Sequence, residues 1–193
     1  MSRIINVVGL DPSLRNWGIC KATLDLATME IGVSELDIVQ PTKLTGKQVR
    51  QNSNDIESAT QLSVGARQAI QGAQAVFIEV PVGSQSARAM ASYGICVGVL
   101  GGLRAEGGAF FELTPKEVKI AATGKGTATK SEMIAWATKA HPEANWPTYM
   151  RKGEIMISEG TAEHQADALA AIYAGIRLPE FSRLMMFAKA AGE

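Results

Sequence analysis

The stretch that most constrains this chain is Val7-Val8-Gly9-Leu10-Asp11-Pro12-Ser13-Leu14-Arg15-Asn16-Trp17-Gly18. An apolar run enters from Ile4 and ends on the carboxylate of Asp11. A tight polar turn follows, and a second apolar run starts at Trp17. Proline cannot donate to a sheet ladder, so a strand over 3–10 ends or kinks at Pro12. A carboxylate at the mouth of a buried strand is costly unless something positive meets it. Taken alone, Asp11 could equally start a turn by bonding its own backbone. The remainder of the chain decides between the two.

The order of the other elements follows from pattern and punctuation. Residues 17–24 and 29–39 predict two more strands joined by a turn, which with the first make a three-stranded antiparallel meander. Pro41 ends it. Residues 42–54 are polar, carry Lys43, Lys47 and Arg50, and predict an exposed loop. A helical pattern covers 55–72, a buried strand 75–80, and a helix 86–105. In that helix Gly94, Gly98 and Gly101 share one face. Such a face suits close approach of another backbone, either the chain's own sheet or a second copy of the chain. A short strand over 109–113 precedes Thr114, which with Glu117 three residues on forms a capping-box pattern. A further helix starts at Thr129 and reaches about 140. Residues 141–160 show no clean period beyond a short strand near 155–157. Thr161 predicts the N-cap of an alanine-rich helix to about 175, and a terminal helix covers 180–189. This order argues for an α/β domain with a mixed central sheet: three antiparallel strands, then parallel strands, flanked by helices. At 193 residues, one domain over 1–193 is expected.

Composition excludes several classes. The formal net charge is zero, so binding to nucleic acid would rest on local basic patches. Cys20 and Cys96 sit apart in apolar runs and predict buried, reduced thiols. No signal peptide is recognised, which points to the cytoplasm. The longest apolar run, 89–103, is broken by Ser92, Gly94, Gly98, Gly101 and Gly102, too short and glycine-rich for a membrane span.

Three acids then stand out by position. Asp11 ends the first strand, Glu79 lies within the Val76-Phe77-Ile78-Glu79-Val80 run, and Asp167 lies in the second turn of an alanine-rich helix, beyond capping reach. His164 is three residues earlier on the same helical face. Each has an ordinary explanation: a solvated strand end, an Asp turned to water, a His near a helix start. Together, two central strands and one helix each deliver an oxygen ligand from an apolar setting. Converging carboxylates cannot all ionise without a cation between them. Their oxygens suit Mg²⁺ or Mn²⁺, and a pair of such ions supports attack of water on a phosphodiester. Between 115 and 131, Lys116, Lys119, Lys125 and Lys130 face one acid, Glu117. That fits phosphate contacts, and charge alone fits a solvated lysine-rich face equally well.

The stretch from Gly9 to Gly18 resembles the opening of the RuvC family of Holliday-junction resolvases, in the RNase H-like superfamily. Ile78-Glu79 sits where that family has its second acid. Asp167-Ala168-Leu169-Ala170 is similar to its terminal Asp-Ala-Leu-Ala helix. Val118-Lys119, Gly124-x-Gly126 and Lys130-Ser131 are similar to the stretch between its last strand and next helix. The resemblance implies an RNase H-like fold and a homodimeric, divalent-metal-dependent endonuclease. Such an enzyme is a crossover junction endodeoxyribonuclease that makes paired symmetric nicks across a four-way junction. Its metal ligands would be Asp11, Glu79, His164 and Asp167, with Mg²⁺ as cofactor and Mn²⁺ also active. His164 falls where many members carry a fourth carboxylate, which would shift preference towards Mn²⁺. Lys130 would assist catalysis, and Lys116, Lys119, Lys125, Lys130 and Arg15 would hold DNA.

Two departures matter. The family commonly carries an aromatic three residues after the second acid, where this chain has Val82. Tyr93, Trp146 and Tyr149 are the candidates to replace it. The segment 141–160 is also long for the family's cellular members, which suits a phage or mobile-element member. These departures keep open a broader nuclease acting on forks, flaps and other branched DNA. An actin-like ATPase or sugar kinase would need a second glycine-rich hairpin and about twice the length. A non-cutting DNA-binding module would have no use for the acids.

Overall fold

The computed structural model describes residues 4–190, with side chains to residue 186. The five-stranded sheet has the order β3-β2-β1-β4-β5. Its strands are β1 (Ile4–Asp11), β2 (Trp17–Asp25), β3 (Ile31–Val39), β4 (Ala75–Glu79) and β5 (Phe110–Leu113). The first three pair antiparallel, while β1–β4 and β4–β5 pair parallel. The expected mixed sheet is therefore present, with β1 at its centre. Arg3, the expected first residue of β1, lies outside the described residues.

Strand alternation divides the core in two. Ile5 and Val7 of β1, Cys20 and Leu24 of β2, and Ala75 and Phe77 of β4 face one side. Val8 and Leu10, Trp17 and Ile19, and Val76 and Ile78 face the other. The second side is covered by α1 (Gln51–Ile70) and α2 (Ala87–Ala105). The first is covered by α3 (Pro115–Thr123), α4 (Lys130–Ala140), α5 (Glu159–Gly175) and α6 (Pro179–Ala190). By period two, Asp11 shares a face with Val7 and Gly9, and Glu79 shares one with Phe77. Both acids therefore look towards α5 from the C-terminal ends of adjacent parallel strands. Both cysteines are buried and free, as expected.

α5 packs against β1, β2 and β4, flanked by α3 and α4. Its first core face is almost entirely alanine: Ala162, Ala166, Ala168, Ala170 and Ala171 are fully buried. Short side chains let the helix backbone descend onto the sheet, and two glycines receive it. A Cβ on Gly9 would collide with the Ala168 carbonyl, and one on Gly18 with the His164 carbonyl. At the far end Gly175 leaves room for the Phe77 ring, which stacks at 5.3 Å on Phe111 and meets Phe181 edge-on at 5.3 Å. Sheet and helix are thus locked in register along the length of α5.

Several element ends differ from expectation. The N-cap of α5 is Ser158, not Thr161, so Asp167 lies in the third turn and not the second. α1 begins at Gln51, four residues before the expected Asp55, because its first turn is polar and exposed and shows no apolar stripe. The expected capping box of Thr114 with Glu117 forms, and Thr129 makes a second one with Glu132. Segment 141–160 holds a hairpin, β6 (Thr148–Arg151) and β7 (Glu154–Ile157), where a single strand near 155–157 was expected. Its turn residues, Lys152 and Gly153, both have positive φ, 52° and 87°, as a two-residue type I′ turn requires. The glycine stripe of α2 does not press on the sheet: built Cβ atoms on Gly94, Gly98 and Gly101 meet nothing within 4 Å.

These contacts separate two kinds of glycine. Gly9→Ala and Gly18→Ala are expected to lose about 1–3 kcal/mol or more of stability through overpacking. Gly101→Ala, whose Cβ enters open space, is expected to leave a single chain unchanged or up to about 1 kcal/mol more stable. Urea titration of the three variants checks the ranking, and an unaffected Gly9→Ala would contradict the close approach of α5.

Candidate active site

Asp11 and Glu79 are the last residues of β1 and β4, beside the paired positions Leu10 and Ile78. Opposite them α5 presents Glu163, His164 and Asp167 at helical spacings of three and four, one above another on one face. His164 Nδ1 lies 2.7 Å from Asp11 Oδ2. His164 Nε2 lies 3.4 Å from Glu163 Oε1, and Lys130 Nζ, at the start of α4, lies 2.7 Å from Glu163 Oε2. The Asp11, Glu163 and His164 side chains are only 14–16% exposed. Asp167 Oδ1 is buried and has no hydrogen-bond partner among the described residues.

Burial and mutual repulsion hold the acids towards their neutral forms. Desolvation, then the charges of Asp11 and Asp167, push Glu79 up to about 8, against the pull of Lys119. Desolvation and the Asp11 charge push Asp167 up to about 7, while His164 and Lys119 oppose. Asp11 is raised by burial despite its hydrogen bond to His164. For His164, burial favours the neutral ring, but Asp11, Glu163 and Asp167 outweigh it and raise its pKa. These coupled shifts place Asp11, Glu79, His164, Asp167, Lys119 and Lys130 in one electrostatic cluster.

The donors suit a hard divalent cation in kind. Carboxylate oxygens predominate, one of them is an orphan, and a cation would relieve the repulsion. Among the described residues, no group of three or more His, Cys, Asp or Glu side chains is arranged to hold a metal ion. His164 closes directly on Asp11 instead, so a metal would have to part that pair.

The remaining candidate DNA contacts scatter. Lys125 pairs with Glu132 at 3.1 Å on the surface. The Lys116 stem passes over Gly126, where a Cβ would come within 2.9 Å of it. Arg15 is exposed and lines a separate cleft. Of the three aromatics considered for the position of Val82, Trp146 packs against the core and donates its Nε1–H to the His141 carbonyl at 2.9 Å. Tyr93 is half-buried, and Tyr149 on β6 is exposed. The hairpin bearing it also exposes Met150 and Ile155 and runs directly into the N-cap of α5.

Glu163 went unnoticed in the sequence. It interrupts no long apolar run, and its only signal is its spacing of four from Asp167.

An antiparallel meander followed by parallel strands in the order 3-2-1-4-5, flanked by helices, is an RNase H-like fold. Within that class the chain has the fold of RuvC. Over 89% of its length it superposes on 92% of the Thermus thermophilus RuvC structure, with 16% identity and a TM-score of 0.61. The structure of T. thermophilus RuvC in complex with Holliday junction substrate matches 89% of this chain and 96% of that one, with 19% identity and a TM-score of 0.62. No protein-family model matches the sequence, and no curated protein does.

The raised pKa values fix a pH dependence. In the folded chain Glu79 and Asp167 titrate at about 8 and about 7, above the unfolded values near 4. The folded state therefore holds extra protons across that interval, and stability falls as pH rises through it. Glu79→Gln and Asp167→Asn each remove their own share of this loss. Calorimetry in metal-free buffer is expected to show each variant several degrees more stable than the wild type at about pH 8.5 and little changed at about pH 4, on a scale of roughly 2–4 °C per kcal/mol.

Proposed function

We propose that the chain is a metal-dependent, structure-selective DNA endonuclease that resolves four-way junctions by paired symmetric nicks. The observation that carries this is the convergence of Asp11, Glu79 and Asp167 at one end of a RuvC-type sheet, with Lys119 and Lys130 beside them. Asp11, Glu79, His164 and Asp167 would hold Mg²⁺ or Mn²⁺. Such ions supply Lewis-acid polarisation of the scissile phosphate and an activated water. The chain's own groups do the rest. Lys119 and Lys130 draw the phosphate in and offset the acids. Glu163 anchors the Lys130 ammonium at 2.7 Å, which sets where that charge stands. His164 orients Asp11 through the Nδ1 contact and can release it when a cation enters.

Two active centres are needed for paired nicks. The outward face of α2 offers a surface for a second copy: Met90 and Val97 are 46% and 48% exposed beside the open Gly94, Gly98 and Gly101. Branched DNA is the substrate class, and the cytoplasm of a bacterial or phage-infected cell is the matching location. No helix among the described residues is long and apolar enough to cross a membrane. The exposed Val82, in place of an aromatic beside the second acid, favours a second version of the activity: cleavage of forks and flaps as well as four-way junctions.

Cleavage of a fixed four-way junction, a flap and a plain duplex, with and without Mg²⁺, separates these. Asp11→Asn is expected to bind the junction as the wild type does and to cut at least about 100-fold more slowly. Normal cutting by that variant would refute the metal site. His164→Asp is expected to lower the ratio of the Mn²⁺ to the Mg²⁺ rate. Sedimentation is expected to show a two-chain species that Val97→Glu converts to single chains.

A further inference from the structure

A cleft of about 270 Å³ lies between the turn after β1, the loop after β3 and the start of α2. Three cations from these three segments line it: Arg15, Lys43 and Arg88. The backbone beside Arg15 and Lys43 is tied down, and Arg88 is held through its side chain. Ser13 closes the turn that carries Arg15: its Oγ accepts from the Asn16 N–H at 3.0 Å and donates to the Asn16 carbonyl at 2.7 Å. Lys43 lies between two backbone amides tied to α1. The Thr42 N–H donates to Gln61 Oε1 at 2.9 Å, and the Leu44 N–H to Asn54 Oδ1 at 3.0 Å. The loop expected to be merely exposed is therefore pinned where it carries its lysine. Arg88 forks onto Asp55, Nη1 and Nη2 donating to the two carboxylate oxygens at 2.7 and 2.6 Å. Asp55 also accepts from Gln51 Nε2 at 2.9 Å, so the one acid lining the cleft is fully engaged. Among the described residues Arg15 and Lys43 have no carboxylate partner. The cleft thus carries two cations in excess, held on three separate segments.

We propose that Arg15, Lys43 and Arg88 form a second anion subsite, which takes a phosphodiester of a DNA arm and sets the path of the strand towards the acids. This rests on the nuclease function proposed above. Arg15 is four residues beyond Asp11, so the Cα atoms of these two residues are at most about 14 Å apart. A strand crossing Asp11 brings a neighbouring phosphate to the cleft. The apolar Leu14 and Pro41 in its lining accommodate a sugar edge, while the cations take the charge. Arg88 supplies a fork-shaped donor already oriented by Asp55, at low entropic cost for a further contact.

The test uses Asp11→Asn protein, so that binding is read without cutting. Affinity for a fixed four-way junction is measured against KCl concentration, alone and with Lys43→Gln or Arg15→Gln added. Each added substitution is expected to lower the slope of log affinity on log salt by about 0.9, with the thermal midpoint unchanged. Lys43→Arg is expected to restore the slope, which a merely structural role for Lys43 would not predict. An unmoved slope in both Gln variants overturns the subsite while leaving the nuclease function standing. Failure of the Asp11→Asn protein to bind any junction overturns the nuclease function and the subsite with it. Inorganic phosphate is the competing occupant. If it raises the thermal midpoint of the wild type but not of Lys43→Gln, and the DNA slope is unmoved, the cleft is a small-anion site and the assignment to DNA falls.

Discussion

Everything at the candidate site depends on how closely one helix lies on the sheet. α5 touches the backbone of β1 at Gly9 and that of β2 at Gly18. A single methyl at either position would push the helix outward. The His164–Asp11 contact of 2.7 Å has no slack to absorb such a shift. The alanine face of α5 serves the same end, because larger side chains would hold the helix off. Packing that would be loose in area terms is here tuned for distance. The two glycines sit two and seven residues from Asp11, so the chain segment that ends in the first acid also builds the seat for the helix that brings the last.

That closeness has an electrostatic cost. Four acids, Asp11, Glu79, Glu163 and Asp167, are brought together with partial burial, and the protein answers with Lys119, Lys130 and His164. The compensation is incomplete: Asp167 keeps an orphan oxygen, and Glu79 and Asp167 titrate several pH units above their ordinary range. A purely structural cluster would be expected to satisfy its buried oxygens. Retained strain of this kind is characteristic of sites kept ready for a charged ligand.

The parts of this arrangement that were visible in the sequence are those with a strong local code. The strand end before Pro12 and the Thr114–Glu117 box reflect short-range rules and stand where expected, while Glu79 closes its strand one residue early and Asp167 lies one turn deeper in its helix than expected. What was not visible depended on tertiary context. Ser158 and Thr161 are both acceptable N-caps, and only the hairpin leading in selects Ser158. The hairpin itself is exposed on both faces, so it lacks the alternation of burial that marks a strand: its second strand showed in the apolar residues 155–157, and its first did not. Glu163 looks like any helix-surface acid until α4 places Lys130 against it. The glycines of α2 allowed packing on the sheet or on a second chain. The structure leaves them open, which removes the first of these.

The two cation groups bear differently on substrate choice. Lys119 and Lys130 sit among the acids, and their charge is largely spent there. They can help a phosphate approach but add little net attraction. Arg15 and Lys43 have no carboxylate partner among the described residues, and stand in the cleft lined by α1 and the start of α2. A chain with zero formal net charge has weak long-range attraction for DNA. For the function proposed above, attraction would come from such local, uncompensated sites, and their spacing would favour some DNA shapes over others. A straight duplex that satisfies the Arg15–Lys43 cleft need not pass over the acids. A bent or branched strand can meet both. On that proposal, selectivity for branched DNA would arise from the separation of the two phosphate sites, without an aromatic wedge at Val82.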